Sequence, residues 1–253
     1  MKYDNANYGL LNSDWHSADS FYKFNKVYRM LELFYCSFPK DKITILDVGS
    51  GAGIIGQLFC AFFQSKGVNV AYDTVEPNAE LVKHYNERNS FFRKNYKSWE
   101  FVDNYYDICL CFDVVEHIND DKAFIKKLAE CSNYGFFNVP VELNFVDWLR
   151  SFYIREYYNL QEQTLGHVHF YGINTIKSLL DARANQLSTE FHPYSDLVLL
   201  VGSKEHKRQL NSRLRKLELY ISKWIHALFP IVSPYIVQGS VYSMLKFKKK
   251  EME

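Results

Sequence analysis

Residues 45–53, Ile-Leu-Asp-Val-Gly-Ser-Gly-Ala-Gly, limit what this chain can fold into more than any other stretch of its 253 residues. An apolar strand runs directly into three alternating glycines. A chain does this where its backbone must turn tightly and approach a ligand, because glycine lacks the Cβ that would obstruct both. The sequence from Ile54 then predicts a helix, whose first N–H groups have no partner within the helix and face the same point. Strand, turn and helix together place a small-molecule site beside Gly49.

Strand and helix signals alternate on either side of that turn. Apolar runs predict strands at 43–48, 69–75, 106–114 and 134–141, with a weak strand between Phe91 and Val102, and 3.6-residue spacing predicts helices at 54–65, 78–89 and 121–131. Such alternation implies an α/β fold, a doubly wound and mostly parallel sheet with right-handed crossovers. Phe24, Val27, Tyr28, Leu31, Phe34 and Tyr35 put another helix before the first strand. Residues 142–172 form an aromatic and arginine-bearing insertion after the fifth strand, and Asn174 caps a helix running to about Ala184. Either 196–203 or 240–248 supplies the last strand, the second being preferred. The expected division is an N-terminal helical cap at 1–40, a catalytic domain at 41–203, and a basic helical element with the final strand at 204–253.

Length allows one substantial core. Apolar residues make up 47% of the chain, and its 19 Tyr and 20 Phe exceed what that core requires, so some should line a pocket. The net charge of +1 conceals a split: residues 204–253 hold 11 Lys or Arg against 4 Asp or Glu, so the tail is basic and the body acidic. A basic tail can meet phosphates or an anionic membrane, though a solvated helix face is the commoner use. In that tail Leu210, Leu214, Leu217, Ile221, Trp224, Ile225 and Leu228 form one apolar helical stripe, expected to pack on its own domain. No secretory signal and no 18-residue apolar span is apparent, so the expected location is cytoplasmic, with peripheral contact at the inner membrane face allowed. Cys36, Cys60, Cys109, Cys111 and Cys131 form no Cys-x-x-Cys pair and are expected as buried thiols.

The glycine loop admits two readings. Counted from Gly51 it is Gly-x-Gly-x-x-Gly, ending at Gly56 with Glu76 twenty residues on, the fingerprint of a nicotinamide or flavin enzyme. Counted from Gly49 it is Asp-x-Gly-x-Gly-x-Gly, with Asp47 inside the strand. This second pattern resembles motif I of the class I S-adenosylmethionine-dependent methyltransferases. Glu76 ends the run Val70 to Val75 where that family places the acid for the ribose hydroxyls, and Asp113-Val-Val-Glu-His-Ile118 is similar to the next signature of its small-molecule branch. The resemblance covers roughly residues 43–185. It implies a seven-stranded Rossmann-like sheet, a helical insertion within the last hairpin, and S-adenosylmethionine held by Asp47, Gly49, Gly51, Gly53, Glu76, Pro77, Phe112 and Asp113. Asp47 would order the loop or reach the donor's amino group indirectly, and Asp113 would approach the methionine end. Tyr8, Trp15 and His16 would belong to an N-terminal lid that covers the cofactor, with Trp15 at the substrate, or would equally only anchor a flexible end. No clear polar residue follows the third strand, which leaves the adenine contact unassigned.

Methyl transfer from a sulfonium is an in-line displacement, so alignment is the main task and can contribute roughly 7–11 kcal/mol. A hydroxyl acceptor must also lose its proton, and histidine suits that. His117, after the fourth strand, is the first candidate. His167 and His169 lie two apart, so an extended segment would aim both at one pocket with Tyr171; each histidine could equally be a packed, hydrogen-bonded side chain. A metal held by His117, His167 and His169 lacks a carboxylate or thiolate at recognisable spacing, so none is expected. The basic helix and short final strand are similar to methyltransferases of bacterial surface-polysaccharide pathways, which suggests a nucleotide-linked sugar whose phosphates meet Arg150 and Arg155. The rivals are a lipid or quinone precursor methylated at a membrane, a NAD or FAD oxidoreductase using Gly51, Gly53 and Gly56, and a cofactor-binding regulator without catalysis. Nucleic acid is disfavoured, because Asn-Pro-Pro-Tyr is absent after the fourth strand and the body is acidic. Nothing in the sequence fixes an oligomeric state.

Overall fold

A computed structural model describes residues 17–201 and 204–249, leaving Tyr8, Trp15 and His16 outside the described residues. The first elements are helix α1 (Ser17–Ser37), strand β1 (Lys42–Val48), helix α2 (Ile54–Ser65), strand β2 (Asn69–Val75), helix α3 (Ala79–Arg88) and strand β3 (Phe92–Tyr96). Strand β4 (Tyr106–Phe112), helix α4 (Asp121–Cys131) and strand β5 (Ser132–Val141) complete the parallel body. Two insertion helices follow, α5 (Phe145–Tyr153) and α6 (Tyr157–Leu165), then helix α7 (Ile173–Asp181) and strand β6 (Ala184–Pro193). Helices α8 (Tyr194–Val201), α9 (Lys204–Leu210), α10 (Arg213–Leu228) and α11 (Ser233–Ile236) lie between β6 and the last strand, β7 (Gly239–Phe247).

These strands form one seven-stranded sheet of order β3-β2-β1-β4-β5-β7-β6, in which β7 runs antiparallel to both neighbours and the remaining pairs are parallel. Its central strands are buried on both faces, which is why they read as continuous apolar runs. One apolar layer lies under α1 and α2, the other under α4 and α7. Helix α1 inserts Val27, Met30, Leu31 and Phe34 into the first layer, at the i, i+3, i+4, i+7 spacing of one helix face. Burial of such side chains contributes about 1.5–3 kcal/mol each. Helix α1 is therefore built into the core. Phe34 meets Phe63 and Phe136 edge to face, and Phe24 meets Phe59 in the same way.

One open choice is settled and two expectations change. Residues 196–201 belong to a helix, so the last strand is the 240–248 candidate, and the helical insertion does interrupt the final hairpin. The sixth strand occupies 184–193, where no strand was expected: Asn185, Gln186, Ser188, Thr189 and Glu190 make it a polar edge strand without an apolar run. Helix α10 does not pack through its apolar stripe. Leu219 and Ser222 are buried instead, Arg215 and Glu218 bond toward the body, and Leu214, Leu217, Ile221, Trp224 and Leu228 face outward. Four cysteines are buried thiols as expected, while Cys36 is exposed.

Candidate active site

Strand order reverses between β1 and β4, since β2 leaves β1 on one side while β4 pairs on the other. The crevice at the carboxyl ends of such strands is where open α/β sheets take ligands. Val48 is aligned with both Val75 of β2 and Cys111 of β4, so the Gly49 turn, Glu76 and Asp113 emerge side by side.

The turn has its geometry from glycine. Gly49 has φ +65°, and a Cβ built there would lie 2.5 Å from Cγ2 of Val114. Only glycine meets both conditions. Gly56, one turn into α2, lies so close to Tyr72 that a Cβ would sit 2.2 Å from its hydroxyl. That hydroxyl donates to Oδ2 of Asp47 at 2.8 Å. Asp47 is buried, and burial, reinforced by the nearby charge of Glu76, lifts its carboxyl to about 7. The third glycine thus serves helix–strand packing around Asp47, and Asp47 acts inside the loop.

Glu76 closes the loop from the other side. Gly51 N–H donates to Oε2 at 3.0 Å and Asn78 N–H to Oε1 at 2.9 Å, tying the glycine turn to the β2–α3 turn, where Pro77 lies exposed. Burial raises the Glu76 carboxyl above its ordinary range even though those two amides pull it down. Each oxygen has spent one lone pair on a backbone amide, which leaves one apiece for a pair of neighbouring hydroxyls. A buried carboxylate with two such positions, beside a cradle that a Cβ would fill, fits the ribose and chain of an adenosyl sulfonium.

At the tip of β4 the backbone turns through Asp113, whose φ of 53° ends the strand two residues earlier than its apolar run suggests. Phe112 packs edge to face on Phe59. Asp113 forms an ion pair with Lys23 of α1. Burial alone would lower the Lys23 ammonium, but Asp113 and Asp19 outweigh it and hold it above its usual range. Glu116 follows, completely buried, with neither carboxylate oxygen hydrogen-bonded among the described residues. Burial, with Asp113 next, pushes its carboxyl well above the normal range.

His117 and His167 meet beside it, with ring centroids 4.9 Å apart. Nδ1 of His117 lies 2.9 Å from the carbonyl of Gly166. A carbonyl can only accept, so Nδ1 carries the proton of the neutral ring and Nε2 is its basic atom. Nε2 is 3.9 Å from Oε1 of Glu116. Nδ1 of His167 pairs with Oε2 of buried Glu142 at 2.9 Å. Val168 and His169 N–H both donate to the Glu116 carbonyl, at 2.9 and 3.1 Å, so the 166–172 loop is fastened directly over this cluster. One ligand atom each from Glu116, His117 and His167 falls within 4.8 Å of the others, a set able to hold a metal ion. The carboxylate missing from the spacing argument is Glu116, and His169 is not part of the set.

A family model described as "Methyltransferase domain" matches residues 23–185. The chain belongs to this methyltransferase family. Among curated proteins, it is 34% identical over 95 residues to the ubiquinone biosynthesis O-methyltransferase of Rickettsia typhi, covering 36% of this chain and 37% of that protein. It is 30% identical over 135 residues to the Rickettsia conorii protein of the same name, covering 51% and 44%. The chain thus spans less than half the length of these curated relatives. Two solved structures share the fold at a TM-score of 0.58: a candidate sarcosine dimethylglycine methyltransferase from Galdieria sulphuraria, 14% identical with 87% of this chain and 85% of that one covered, and the plantazolicin methyltransferase BpumL in complex with SAH, 12% identical with 97% and 92% covered.

Within this methyltransferase domain, Asp47, Gly49, Gly51, Gly53, Glu76, Phe112 and Asp113 converge on one crevice, and His117 and His167 stand together at its β4 end. Three other candidates are turned to different tasks. Nε2 of His169 lies 3.1 Å from the Asn119 carbonyl, and its ring stacks on Tyr171. The Tyr171 hydroxyl donates to Asp121 at 2.7 Å inside the core, which corrects its expected place at a pocket edge. Arg150 is bound to Asp147 at 2.6 Å, to Gln238 at 3.2 Å and to Glu218, so its guanidinium is occupied by protein and not open to a phosphate. Sequence reasoning missed Lys23, Glu142 and Asn138, the last buried opposite Phe112 with an amide lacking hydrogen-bond partners among the described residues. Glu116 lay within the recognised signature but was given no role.

Proposed function

We propose that this chain is an S-adenosylmethionine-dependent O-methyltransferase in which His117 removes the acceptor's proton. The observation that carries this reading is the position of His117 Nε2, fixed as the basic atom by the Gly166 carbonyl and placed at the tip of β4, next to the strand that leads into the Gly49 turn. The cofactor supplies an electrophilic methyl on a positively charged sulfur. The protein does the remainder: Glu76 takes the ribose hydroxyls, the 49–53 turn admits the nucleoside chain, and Asp113 with Lys23 meets its charged amino-acid end. His117 Nε2 accepts the hydroxyl proton as the oxygen attacks, and the Glu142–His167 pair backs the His117 ring. Glu116, whose buried carboxyl is biased toward its protonated form, can donate to a second oxygen on the acceptor, which orients it.

For the acceptor we favour a hydroxylated ring of the kind carried by quinone precursors. Relatives named ubiquinone biosynthesis O-methyltransferases support this, and so does Arg150, whose protein partners remove one of two groups expected to meet sugar-nucleotide phosphates. The nucleotide-sugar reading, with its place in surface-polysaccharide assembly, then rests on exposed Arg155 alone. Close packing of Gly56 on Tyr72 is what either fingerprint asks of that glycine, so the dinucleotide reading yields instead to the methyltransferase-domain match over residues 23–185. Assaying purified protein with labelled methyl donor against a catechol and a nucleotide-linked sugar decides the acceptor: methylation of the catechol supports the proposal, and methylation of the sugar alone overturns it.

A further inference from the structure

Helix α10 and the turn after it expose an apolar surface that the catalytic reading does not use. Leu214 is 80% exposed, Trp224 65%, and Ile231, in the Pro230 turn, 85%. Leu217, Ile221, Leu228 and Phe229 continue the same surface. Spacings of three, four, three and four residues keep Leu214, Leu217, Ile221, Trp224 and Leu228 on one side of a helix about 24 Å long. Soluble surfaces rarely leave so continuous an apolar strip unpartnered.

Its charge says what covers it. Arg213, Lys216 and Lys223 are exposed on the same helix, and Glu218, the only acid of α10, is turned away to Arg150 and Arg215. Residues 229–238 carry no charge at all. A strip of Leu, Ile and Trp bordered by cations, with Tyr220 and Tyr235 half exposed beside it, matches the boundary of an anionic bilayer: apolar side chains enter the acyl edge while lysine and arginine meet the headgroups. A second copy of this chain would bring like charges together along the strip. No described helix is long and apolar enough to cross the membrane, so α10 would lie in its plane. Helix α5, tied to α10 through Arg150 and Glu218, exposes Phe145, Trp148 and Phe152 as a further aromatic run. Glu142, just before α5, holds His167, so the strip is one helix removed from the acceptor loop.

We infer that α10 and the 229–232 turn dock this protein on an anionic lipid surface, whichever hydroxyl it methylates. The test is co-sedimentation of the full chain with mixed phosphatidylcholine–phosphatidylglycerol vesicles and with pure phosphatidylcholine vesicles. Binding to the mixed vesicles, weakened by salt and at least about tenfold lower in the Leu217→Glu/Trp224→Glu double variant, is the expected result. Circular dichroism and the affinity for S-adenosylhomocysteine should be unchanged in that variant. Should it fail to fold, Lys216→Gln/Lys223→Gln replaces it and should lose binding about 25-fold, about fivefold per lysine. Wild-type protein that stays in the supernatant, binds both vesicle types equally, or binds undiminished in the variants overturns the inference. So does a dimer in sedimentation that the double variant splits without any vesicle binding.

Discussion

The two ends of the cleft differ in how their buried carboxylates are satisfied. At the β1–β2 end Asp47 accepts from Tyr72, and Glu76 accepts two backbone amides that clamp the glycine turn. At the β4 end both oxygens of Glu116 and the Asn138 amide are buried without hydrogen-bond partners among the described residues. Buried polar groups are normally paired, and leaving one unpaired costs about 1–3 kcal/mol. The first end is preorganised around itself, as the proposed cofactor grip requires. The second holds polar atoms that, on the proposed reading, the acceptor's own polar groups would meet.

The sharpest break between the ends is His117→Gln. Turnover should fall by roughly 100-fold or more while S-adenosylhomocysteine affinity stays nearly constant; parallel loss of both, read by calorimetry and single-turnover kinetics, would merge the two ends into one structural unit. Next comes stability against pH. Asp47 titrates near 4 when unfolded and at about 7 when folded, so the folded state holds the proton between those values. Its contribution is fully present below about pH 4 and lost as pH rises through about 7, on the order of 2–4 kcal/mol, and Glu116 adds in the same direction. Urea midpoints should fall from about pH 5 to about pH 8, and less so in Asp47→Asn. Smaller still, Tyr72→Phe should cost about 1–2 kcal/mol in urea unfolding by removing Asp47's hydroxyl donor. Last, chelation should leave turnover unchanged if His117 acts as a base; activity restored by added divalent metal would assign Glu116, His117 and His167 to a cation instead.

How legible each end was follows from the same contrast. The β1 turn, α2 and Glu76 could be read because glycine spacing and an apolar run are local signals. Helix α1 was equally plain, yet no pattern announced that its Lys23 would reach Asp113, 90 residues away. Partners beyond the reach of spacing also decided the misplaced candidates: Asn119 takes His169, Asp121 takes Tyr171, and Asp147 with Glu218 takes Arg150. In α10 the period gave the helix and its stripe, but the side that packs is chosen by Leu219, Ser222 and a polar network. Strand β6 lacked any apolar run to mark it, and the helix expected to reach Ala184 ends at Asp181.

Calorimetric titration of S-adenosylhomocysteine into the wild-type chain and into Glu76→Gln tests the central claim most directly. The account predicts binding to the wild type, a loss of about tenfold or more in the variant, and no heat with NAD. NAD binding, or an affinity indifferent to Glu76, would contradict it.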